Sequence, residues 1–199
     1  IVACFTCVIS TLFVLMVAYA MSCMRFKARK PLMNIAIILN LFPGFLSMIA
    51  VYFIMKQFGL TGTLTGLIIV YSAGSGMGYL IAKGFFDTVS KSLRESAYLE
   101  GANEFTVFWK IILPLSKPIC SVIAIFAINA AWSDFLLPYL VLRGSALQTV
   151  MVRLFVFSTE QTVNADTMMR SVVFSMIPPI ILFFIFQKQL TENAVSVGI

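Results

Sequence analysis

The sequence contains no histidine and few charged residues of either sign. Among its 199 residues, 11% are charged, whereas about 25% is usual in soluble domains. Without histidine the chain lacks the commonest general base and metal ligand, which counts against a hydrolase or a metal centre. Its four cysteines form no tight cluster of the structural-zinc type. The composition therefore excludes an ordinary soluble domain.

Two short patterns look like chemical motifs but lack the residues that the chemistry needs. Cys4-x-x-Cys7 has redox or metal spacing, yet it opens an apolar run in which packing is the simpler explanation. The glycines Gly74, Gly76 and Gly78 are not followed by Gly-Lys-Ser or Gly-Lys-Thr, so they do not form a phosphate-binding loop. The chain has no Walker A nucleotide site of its own.

Long apolar runs dominate the chain, which is 60% hydrophobic with a mean hydropathy of +0.99. Five runs have 19–25 residues, enough to cross a hydrocarbon core of about 30 Å as helices. Helices are expected because unpaired backbone groups are too costly in lipid, and the runs are too continuous for barrel strands. The sequence predicts an all-α polytopic bundle, one transmembrane domain over residues 1–199, with spans at residues 1–24, 33–55, 60–82, 118–142 and 168–186.

The positive charges lie mainly on one side of the predicted spans. Residues 25–30 carry four, residues 83–117 five and the tail one, against four in the opposite loops. The positive-inside rule therefore predicts that the first loop, the 83–117 loop and the C-terminus are cytoplasmic. The net charge of +6 is explained in this way, with no need for a nucleic acid. Because the chain opens with Ile1 inside an apolar run, we expect a piece whose true N-terminus is missing, not a signal peptide.

Glycine and proline within the runs predict irregularities in three spans. Pro43-Gly44 and Pro178-Pro179 should kink the second and the fifth spans. The spacings Gly62-x-x-x-Gly66 and Gly74-x-x-x-Gly78 allow close helix approach, which favours a central position for the third span.

The polar loop at 83–117 is predicted to form two short amphipathic helices. Ser92 and Glu95 fit a capping box at the start of the first helix, and Gly101 suits the left-handed residue after its end. Asn103 can cap the second helix, and Pro114 should end it.

The second of these helices should carry one apolar stripe. Phe105, Phe108, Trp109 and Ile112 follow the i, i+3, i+4, i+7 spacing. Two interpretations remain open: the loop rests on the membrane surface, with Trp109 and Lys110 as anchors, or it docks into a protein partner. Surface anchoring explains the second helix well but leaves the acidic residues of the first without a role.

A spaced pattern in this loop resembles the EAA loop of the permeases of ATP-binding cassette (ABC) importers. The family pattern is Glu-Ala-Ala, three residues, Gly, nine residues, Ile-x-Leu-Pro, and the chain departs from it only at Ser96. The resemblance implies that the loop is a coupling helix seated in a cleft of an ATPase subunit. The residues that it assigns to ATPase docking are Glu95, Ser96, Ala97, Tyr98, Leu99, Glu100, Gly101, Ala102, Phe105, Ile111, Leu113 and Pro114.

Further segments resemble the carbohydrate branch of that family, with a MetI/MalG-like permease core. They are Arg25-Phe26, Phe42-Pro43-Gly44, Trp132–Pro138 and Gln187–Leu190. The resemblance covers essentially the whole chain and implies that the first of six spans and the last few residues are absent. It also implies three partners: an ATPase dimer, a second, MalF-like permease and an extracellular or periplasmic sugar-binding protein. The chain would bind no cofactor, since ATP and Mg²⁺ belong to the ATPase, and it would lie among lipids in the cytoplasmic membrane of a bacterium or archaeon.

A few polar residues within the spans are candidates for the solute pathway. Asp134 is costly in lipid and should face the bundle interior or a cavity, unless it lies near the outer interface and bonds only to its neighbours, with Trp132 as an interface aromatic. Asn129 can bond either to a sugar hydroxyl or to another helix. Weaker candidates are Ser47, Tyr52 and Tyr71.

Three functions compete at this point. An intramembrane enzyme is disfavoured because Asp134 is the one carboxylate within the spans, so no acidic dyad can form there. A secondary transporter or channel that is not coupled to ATP would leave the acidic loop unexplained and would usually carry more ionisable groups at the midplane. The resemblance favours the permease subunit of an ATP-driven importer, forming half of the pathway for a carbohydrate, which we expect to be an oligosaccharide.

Overall fold

The structure is a computed structural model that describes residues 1–41, 44–73, 76–159 and 164–196, the last nine of these by backbone alone. Within these ranges the chain forms an all-α bundle of twelve α-helices and one π-helical turn. The first six helices are α1 Val2–Cys23, α2 Arg29–Leu41, α3 Gly44–Gln57, α4 Leu64–Ser72, α5 Gly76–Thr88 and α6 Lys91–Leu99. After them come α7 Glu104–Val107, the π turn Phe108–Ile112, α8 Leu113–Leu115, α9 Lys117–Ser133, α10 Leu136–Val141, α11 Val150–Thr159 and α12 Ala165–Ser196.

The helices provide between three and five candidate membrane spans among the described residues. Three are long and apolar enough by themselves: Val2–Cys23, Leu64–Thr88 and Ala165–Gln187. Two more arise if each strongly bent helix pair counts as one span. In these pairs α2 meets α3 at 106°, and the helical run Glu104–Leu115 meets α9 at 82°. The predicted all-α membrane bundle is confirmed, and its upper span count equals the predicted five.

The second and fourth predicted spans are less regular than the sequence indicates. The predicted kink at Pro43-Gly44 falls partly outside the described residues, where Phe42 and Pro43 lie; the helices on either side are bent by far more than a proline kink requires. The fourth predicted span corresponds to α9, which ends at Ser133 and not at residue 142, because Asp134 adopts an extended conformation. Both Pro178 and Pro179 lie inside α12, which continues past them.

Helix α1 lies at the centre of the packing, against α4, α5 and α9, and α9 also packs on α12. The buried apolar residues form two clusters that have no member in common. The larger one joins α1 and α5 to the 91–112 region and α9, and includes Leu15, Ala82, Phe86 and Ile123. The smaller one, around Leu67 and Val141, joins the start of α1 to α3, α4 and α10. We call the end of the bundle at the larger cluster the basic end, because residues 25–30 and 83–117 lie there.

The first turn of α4 requires a glycine at residue 66. Thr63 caps the helix by accepting a hydrogen bond from the Gly66 backbone N–H at 3.1 Å. A Cβ atom on Gly66 would collide with the Leu60 carbonyl oxygen and would come within 2.7 Å of Met55 Cε. The predicted helix approach through Gly62-x-x-x-Gly66 is wrong, because Gly62 lies in the turn before α4 with φ = 77° and Gly66 approaches that turn at Leu60. The second glycine pair depends on Gly74, outside the described residues.

Helices α2, α3 and α12 leave most of their large apolar side chains exposed. Exposed apolar surface of this extent is not compatible with water and marks contact with lipid or with other protein. The segment after α10 also contains an unpredicted helix, α11, which packs on α9 and α12.

Candidate functional site

The loop at the basic end begins with α6. Ser90 is its N-cap, and the Ser90 side-chain oxygen accepts a hydrogen bond from the Ser92 backbone N–H at 3.2 Å. The prediction that Ser92 is the cap is therefore wrong, because the helix starts two residues earlier than the capping-box pattern places it. The Ser92 hydroxyl instead bonds to that of Ser90 at 2.6 Å. Glu95 and Ser96 follow on the exposed side of the helix.

A glycine-dependent turn ends α6. The Gly101 N–H donates to the Tyr98 carbonyl at 3.0 Å, and the Ala102 N–H donates to the Ala97 carbonyl at 3.0 Å. This pair of bonds is the Schellman motif, which requires a left-handed residue, and Gly101 has φ = 82°. The predicted role of Gly101 is confirmed. Ala97 is buried, so the turn is fixed against the bundle.

The second helical run starts at its predicted cap but extends beyond its predicted end. Asn103 Oδ1 accepts a hydrogen bond from the Thr106 N–H at 2.8 Å. The run then passes through the π turn and α8 to Leu115, so the prediction that Pro114 ends the helix is wrong. A proline ring clashes with the carbonyl four residues earlier in a regular α-helix, and the wider turn directly before Pro114 relieves that crowding.

The predicted apolar stripe of this run is divided: two of its residues face the core and two face outward. Phe108 and Ile112 are buried in the larger cluster, whereas Phe105 is 68% exposed and Trp109 is 38% exposed. The four residues therefore do not share one face, since the π turn shifts the register assumed for a regular α-helix. Ile111 and Leu113 pack at the border of the same cluster, and Pro114 is exposed.

Two long-range hydrogen bonds attach the loop to the end of α1. The Tyr19 hydroxyl donates to Glu104 Oε2 at 2.7 Å, and the Arg94 guanidinium donates to the Cys23 carbonyl at 2.8 Å. Tyr19 is only 4% exposed, and its ring lies against Phe86 and Phe108. Arg94 places a positive charge at the C-terminus of α1, where the helix dipole favours it. The loop and α1 are thus joined by polar contacts as well as by packing.

Tyr98 extends this polar group. Partial burial raises the pKa of Tyr98, and a hydrogen bond with Glu104 raises it further. The Tyr98 phenol therefore stays protonated at neutral pH and can donate to the Glu104 carboxylate. Tyr19 and Tyr98 flank one acidic side chain.

The outer surface of the loop is exposed; we call it the loop tip and define it as Glu95, Leu99, Glu100 and Phe105 together with the exposed part of Tyr98. Leu99 is 90% exposed, an extreme value for a leucine in a structured turn. Acidic side chains lie around it, so the tip combines an apolar projection with negative charge. Such a surface suits a protein socket with an apolar floor and basic rim.

Among the candidate pathway residues, Asp134 makes structural contacts. Its Oδ2 accepts a hydrogen bond from the Tyr71 hydroxyl at 2.8 Å, and its Oδ1 accepts one from the Leu136 N–H at 3.0 Å. The carboxylate thereby binds the first backbone N–H of α10 and links the junction between α9 and α10 to α4. These contacts match the alternative in which Asp134 bonds to its neighbours, and a pathway role for Asp134 or Tyr71 stays a prediction.

Trp132 joins α9 to α12 through a hydrogen bond that a proline makes possible. Its indole N–H donates to the Ser175 carbonyl at 3.2 Å. In a regular helix the N–H of residue 179 would occupy that carbonyl, but Pro179 has no N–H. The indole therefore satisfies a backbone acceptor that proline left free within the membrane.

A cavity of about 230 Å³ lies between α9 and α12 and brings two of the candidates together. Asn129 and Trp132 line it, together with Phe126, Pro179 and Phe183. The side-chain Oδ1 of Asn129 accepts a hydrogen bond from the Ser133 hydroxyl at 3.1 Å, within the same helix. Aromatic rings beside an amide are suited to a sugar, so this cavity is the better candidate for solute contact.

The remaining two candidates lie on α3. Tyr52 is half-buried and packs, like Tyr71, at the border of the smaller cluster. The Ser47 hydroxyl is exposed and donates to the Gly44 carbonyl at 2.8 Å. Neither residue lines the cavity between α9 and α12.

The sequence interpretation missed Tyr19, Arg94 and Glu104 as a connected group. Tyr19 and Glu104 are 85 residues apart, and no spacing rule pairs them. One available signal was a tyrosine just before the end of an apolar helix whose following loop is strongly basic.

Comparisons with known proteins place the chain in a family. The sequence profile of the family "Binding-protein-dependent transport system inner membrane component" matches residues 7–194. Protein LplC of Bacillus subtilis (strain 168) is 35% identical over 163 residues, which are 80% of this chain and 54% of LplC. The galactooligosaccharides transport system permease protein GanQ of the same organism is 31% identical over 98% of this chain and 69% of its own length.

A third relative and a solved structure agree with this family. The maltodextrin transport system permease protein MalD of Streptococcus pneumoniae (strain ATCC BAA-255 / R6) is 31% identical over 100% of this chain and 71% of MalD. A crystal structure of a bacterial ABC transporter involved in the import of the acidic polysaccharide alginate superposes with a TM-score of 0.83. It covers 94% of this chain and 70% of that chain at 24% identity, so it supports the fold alone. The chain spans only 54% of the length of LplC.

Proposed function

The chain belongs to the family of binding-protein-dependent transport system inner membrane components, and on this premise we propose that it is a permease subunit of an ATP-driven importer. In this role its helices form half of a solute pathway through the membrane. The solute is a carbohydrate, in the size range of oligosaccharides. The names of GanQ and MalD, which refer to galactooligosaccharides and maltodextrin, support this choice of substrate class.

The observation that carries the proposal is the loop at the basic end. Its inner side is attached to α1 by two hydrogen bonds and by buried residues such as Phe108, while Leu99 and the acidic side chains face outward. A surface that is rigidly attached to the bundle and free on its outer side can transmit movement of a bound partner to α1. The EAA-like pattern in the same residues supports an ATPase as that partner.

The remaining components follow from this role. We infer an ATPase dimer at the loop tip, a second related permease beside the bundle and an extracellular or periplasmic protein that delivers the solute. ATP and Mg²⁺ bind to the ATPase, where hydrolysis takes place, and this chain supplies the membrane pathway. The family name itself supports the coarser part of this picture, a transport system that depends on a binding protein.

The chain is a multi-pass membrane component, as its family and apolar helices indicate. We further propose that the basic end faces the cytoplasm, since an ATPase that uses cellular ATP must meet the loop tip there. The excess of positive charge at this end supports the same orientation.

Charge reversal at the loop tip tests the docking role. In the complex of this chain with the ATPase and the second permease, we expect Glu95→Lys to reduce the co-purified ATPase by roughly tenfold or more, since like charges facing each other cost several kcal/mol. ATP-dependent sugar uptake should fall in parallel, measured with a panel of labelled oligosaccharides. Leu99→Ser should act in the same direction without disturbing the core, because Leu99 is exposed.

Asp166→Lys is the matched control, since it makes the same charge change at an exposed helical position far from the basic end. It should leave the ATPase bound. If Glu95→Lys and Leu99→Ser retain both the ATPase and uptake, the loop tip is not the docking surface. If wild-type complexes contain no ATPase and uptake proceeds without ATP, the chain is instead a channel or secondary transporter.

A further inference from the structure

A groove between α1, α2 and α5 is not used by the proposed function. It has a volume of about 420 Å³ and is lined by apolar side chains such as Phe13, Val17, Leu32, Ala36 and Leu39. Phe13, Leu32 and Leu39 are themselves largely exposed, so the groove opens on the outside of the bundle. Asn40 and Gly76 meet at one part of the lining, where a Cβ atom on Gly76 would collide with the Asn40 side chain. The groove is thus an apolar slot on the outside of the bundle.

One buried polar group lines this slot. Tyr79 is 7% exposed, and its hydroxyl has no hydrogen-bond partner among the described residues. A buried donor without an acceptor is costly in an apolar environment. A ligand that brings an oxygen atom into the groove near Tyr79 would remove that cost.

Cations lie at the basic end of the same helix faces. Arg29 precedes Leu32 by three residues and Ala36 by seven, so it heads the face of α2 that lines the groove. Lys83 follows Tyr79 by four residues on α5, about 6 Å along the helix. Lys83 pairs with Asp87, whereas Arg29 has no salt bridge within the described part of the chain. Residues 25–30 add three more positive charges nearby.

We propose that the groove binds one anionic phospholipid. An acyl chain lies in the slot, an ester carbonyl accepts a hydrogen bond from the Tyr79 hydroxyl, and the phosphate lies at Arg29. From Arg29, the lining residues Leu32, Ala36 and Leu39 follow along α2 away from the basic end, so hydrocarbon can extend along the groove from a phosphate at Arg29. Anionic lipids also concentrate where juxtamembrane lysine and arginine residues cluster.

Another apolar helix would fit this surface less well. Such a helix would cover Leu32, Leu39 and Phe13 but would leave the Tyr79 hydroxyl without an acceptor, and Arg29 would share the single Asp87 carboxylate with Lys83. A zwitterionic lipid would satisfy Tyr79 but would gain less at Arg29, because its headgroup carries a balancing positive charge. The charge distribution therefore favours a lipid with a net negative headgroup.

Native mass spectrometry of the assembled transporter tests this assignment. Phosphatidylglycerol and phosphatidylcholine with the same acyl chains are each added to the detergent-solubilised complex, and the lipid-bound fraction is measured. We expect stronger retention of phosphatidylglycerol, reduced about fivefold by Arg29→Gln. Lys30→Gln is the matched control: it removes one positive charge from the next position of α2, about 100° around the helix from the groove. It should change retention by less than about twofold.

A second variant tests the slot without changing charge. Ala36→Phe places a ring in the groove and should abolish retention of phosphatidylglycerol. Inorganic phosphate and glycerol phosphate should not displace the lipid, since neither fills the slot. Equal losses in Arg29→Gln and Lys30→Gln, or equal retention of the two lipids, would overturn the proposal. If the transporter with Ala36→Phe fails to assemble, the comparison of Arg29→Gln with Lys30→Gln still tests the lipid proposal.

Occupation of the groove by another protein is a separate outcome that would also overturn the lipid proposal. A photo-crosslinker at Ala36 would then capture the second permease in place of lipid. Uptake and bound ATPase are recorded for every variant. Because Arg29 and Lys30 lie outside the loop tip, loss of lipid with normal uptake leaves the transport role intact, and loss of docking in the loop-tip variants leaves the lipid site intact.

Discussion

At the scale of single residues, several polar side chains of this protein satisfy backbone groups that the membrane leaves without water. Trp132 bonds to the carbonyl that Pro179 left free, and Asp134 bonds to the first backbone N–H groups of α10. In lipid, an unsatisfied backbone group is costly, so such side chains maintain irregular helices. Their first role is therefore architectural, even where they also line a cavity.

If the Trp132 indole stabilises the fold through its hydrogen bond to Ser175, Pro179→Ala should compensate for its loss. Trp132→Phe should lower the free energy of unfolding by about 0.6–1.7 kcal/mol, the range measured for hydrogen bonds between membrane helices. Pro179→Ala restores a backbone N–H to residue 179, which can then bond to the Ser175 carbonyl. In the Pro179→Ala background, Trp132→Phe should lower the free energy of unfolding by clearly less. A double-mutant cycle of unfolding in detergent measures this difference. An equal loss in both backgrounds would mean that the indole stabilises only by packing.

At the scale of helices, the connection between α1 and the loop determines how movement enters the bundle. Two hydrogen bonds, from Tyr19 to Glu104 and from Arg94 to the Cys23 carbonyl, attach both helical runs of the loop to the end of α1. Helix α1 in turn contacts α4, α5 and α9. Displacement of the loop therefore acts first on the most central helix.

Removing one attachment should weaken coupling without releasing the ATPase. Tyr19→Phe deletes the hydrogen bond to Glu104 but leaves the loop tip unchanged, so the amount of bound ATPase should not alter. The number of sugar molecules transported per ATP hydrolysed should fall roughly 2- to 30-fold, in line with 0.5–2 kcal/mol of coupling.

Tyr139→Phe is the control, because Tyr139 lies on α10 and makes ring contacts with Phe135 and Phe155 instead. It should leave the ratio unchanged. A Tyr19→Phe complex with the normal ratio of transport to hydrolysis would show that packing alone carries the motion.

The sequence predicts the helices better than the places where they bend. Apolar length indicates which segments can cross a membrane, and Gly101 and Asn103 correctly indicate where the loop helices end and begin. The break at Asp134 was not predicted, since it depends on whether the carboxylate finds Tyr71 and the α10 backbone. The π turn similarly divided a stripe that regular spacing placed on one face. The break at Asp134 and the π turn depend on contacts between segments far apart in the sequence, and local residue spacing gives no information about such contacts.

At the scale of the whole molecule, charge is distributed unequally between the two ends. Ten of the 14 lysine and arginine residues are assigned to the side of the loop and the tail, and four to the other side. This asymmetry predicts which end faces the cytoplasm. The structure brings the first basic loop and the 83–117 loop to the same end, as the bonds from Tyr19 and Arg94 show.

Labelling of single cysteines checks this orientation. All four native cysteines are free and should first be replaced. Tyr98→Cys at the loop tip should then react with a membrane-impermeant maleimide only after the cells are opened. Ala146→Cys, in the exposed loop at the opposite end, should react in intact cells whose outer barriers admit the reagent. The reverse pattern would place the loop outside, where no ATPase could reach it.

The two buried clusters share no member among the described residues, and α1 runs lengthwise between them. Loosening the contacts at one face of the membrane consequently leaves those at the other face in place. In the proposed transport role, the pathway must never be open to both compartments at once. The separate clusters serve this requirement, because the closed end keeps the subunit folded while the contacts at the other end loosen.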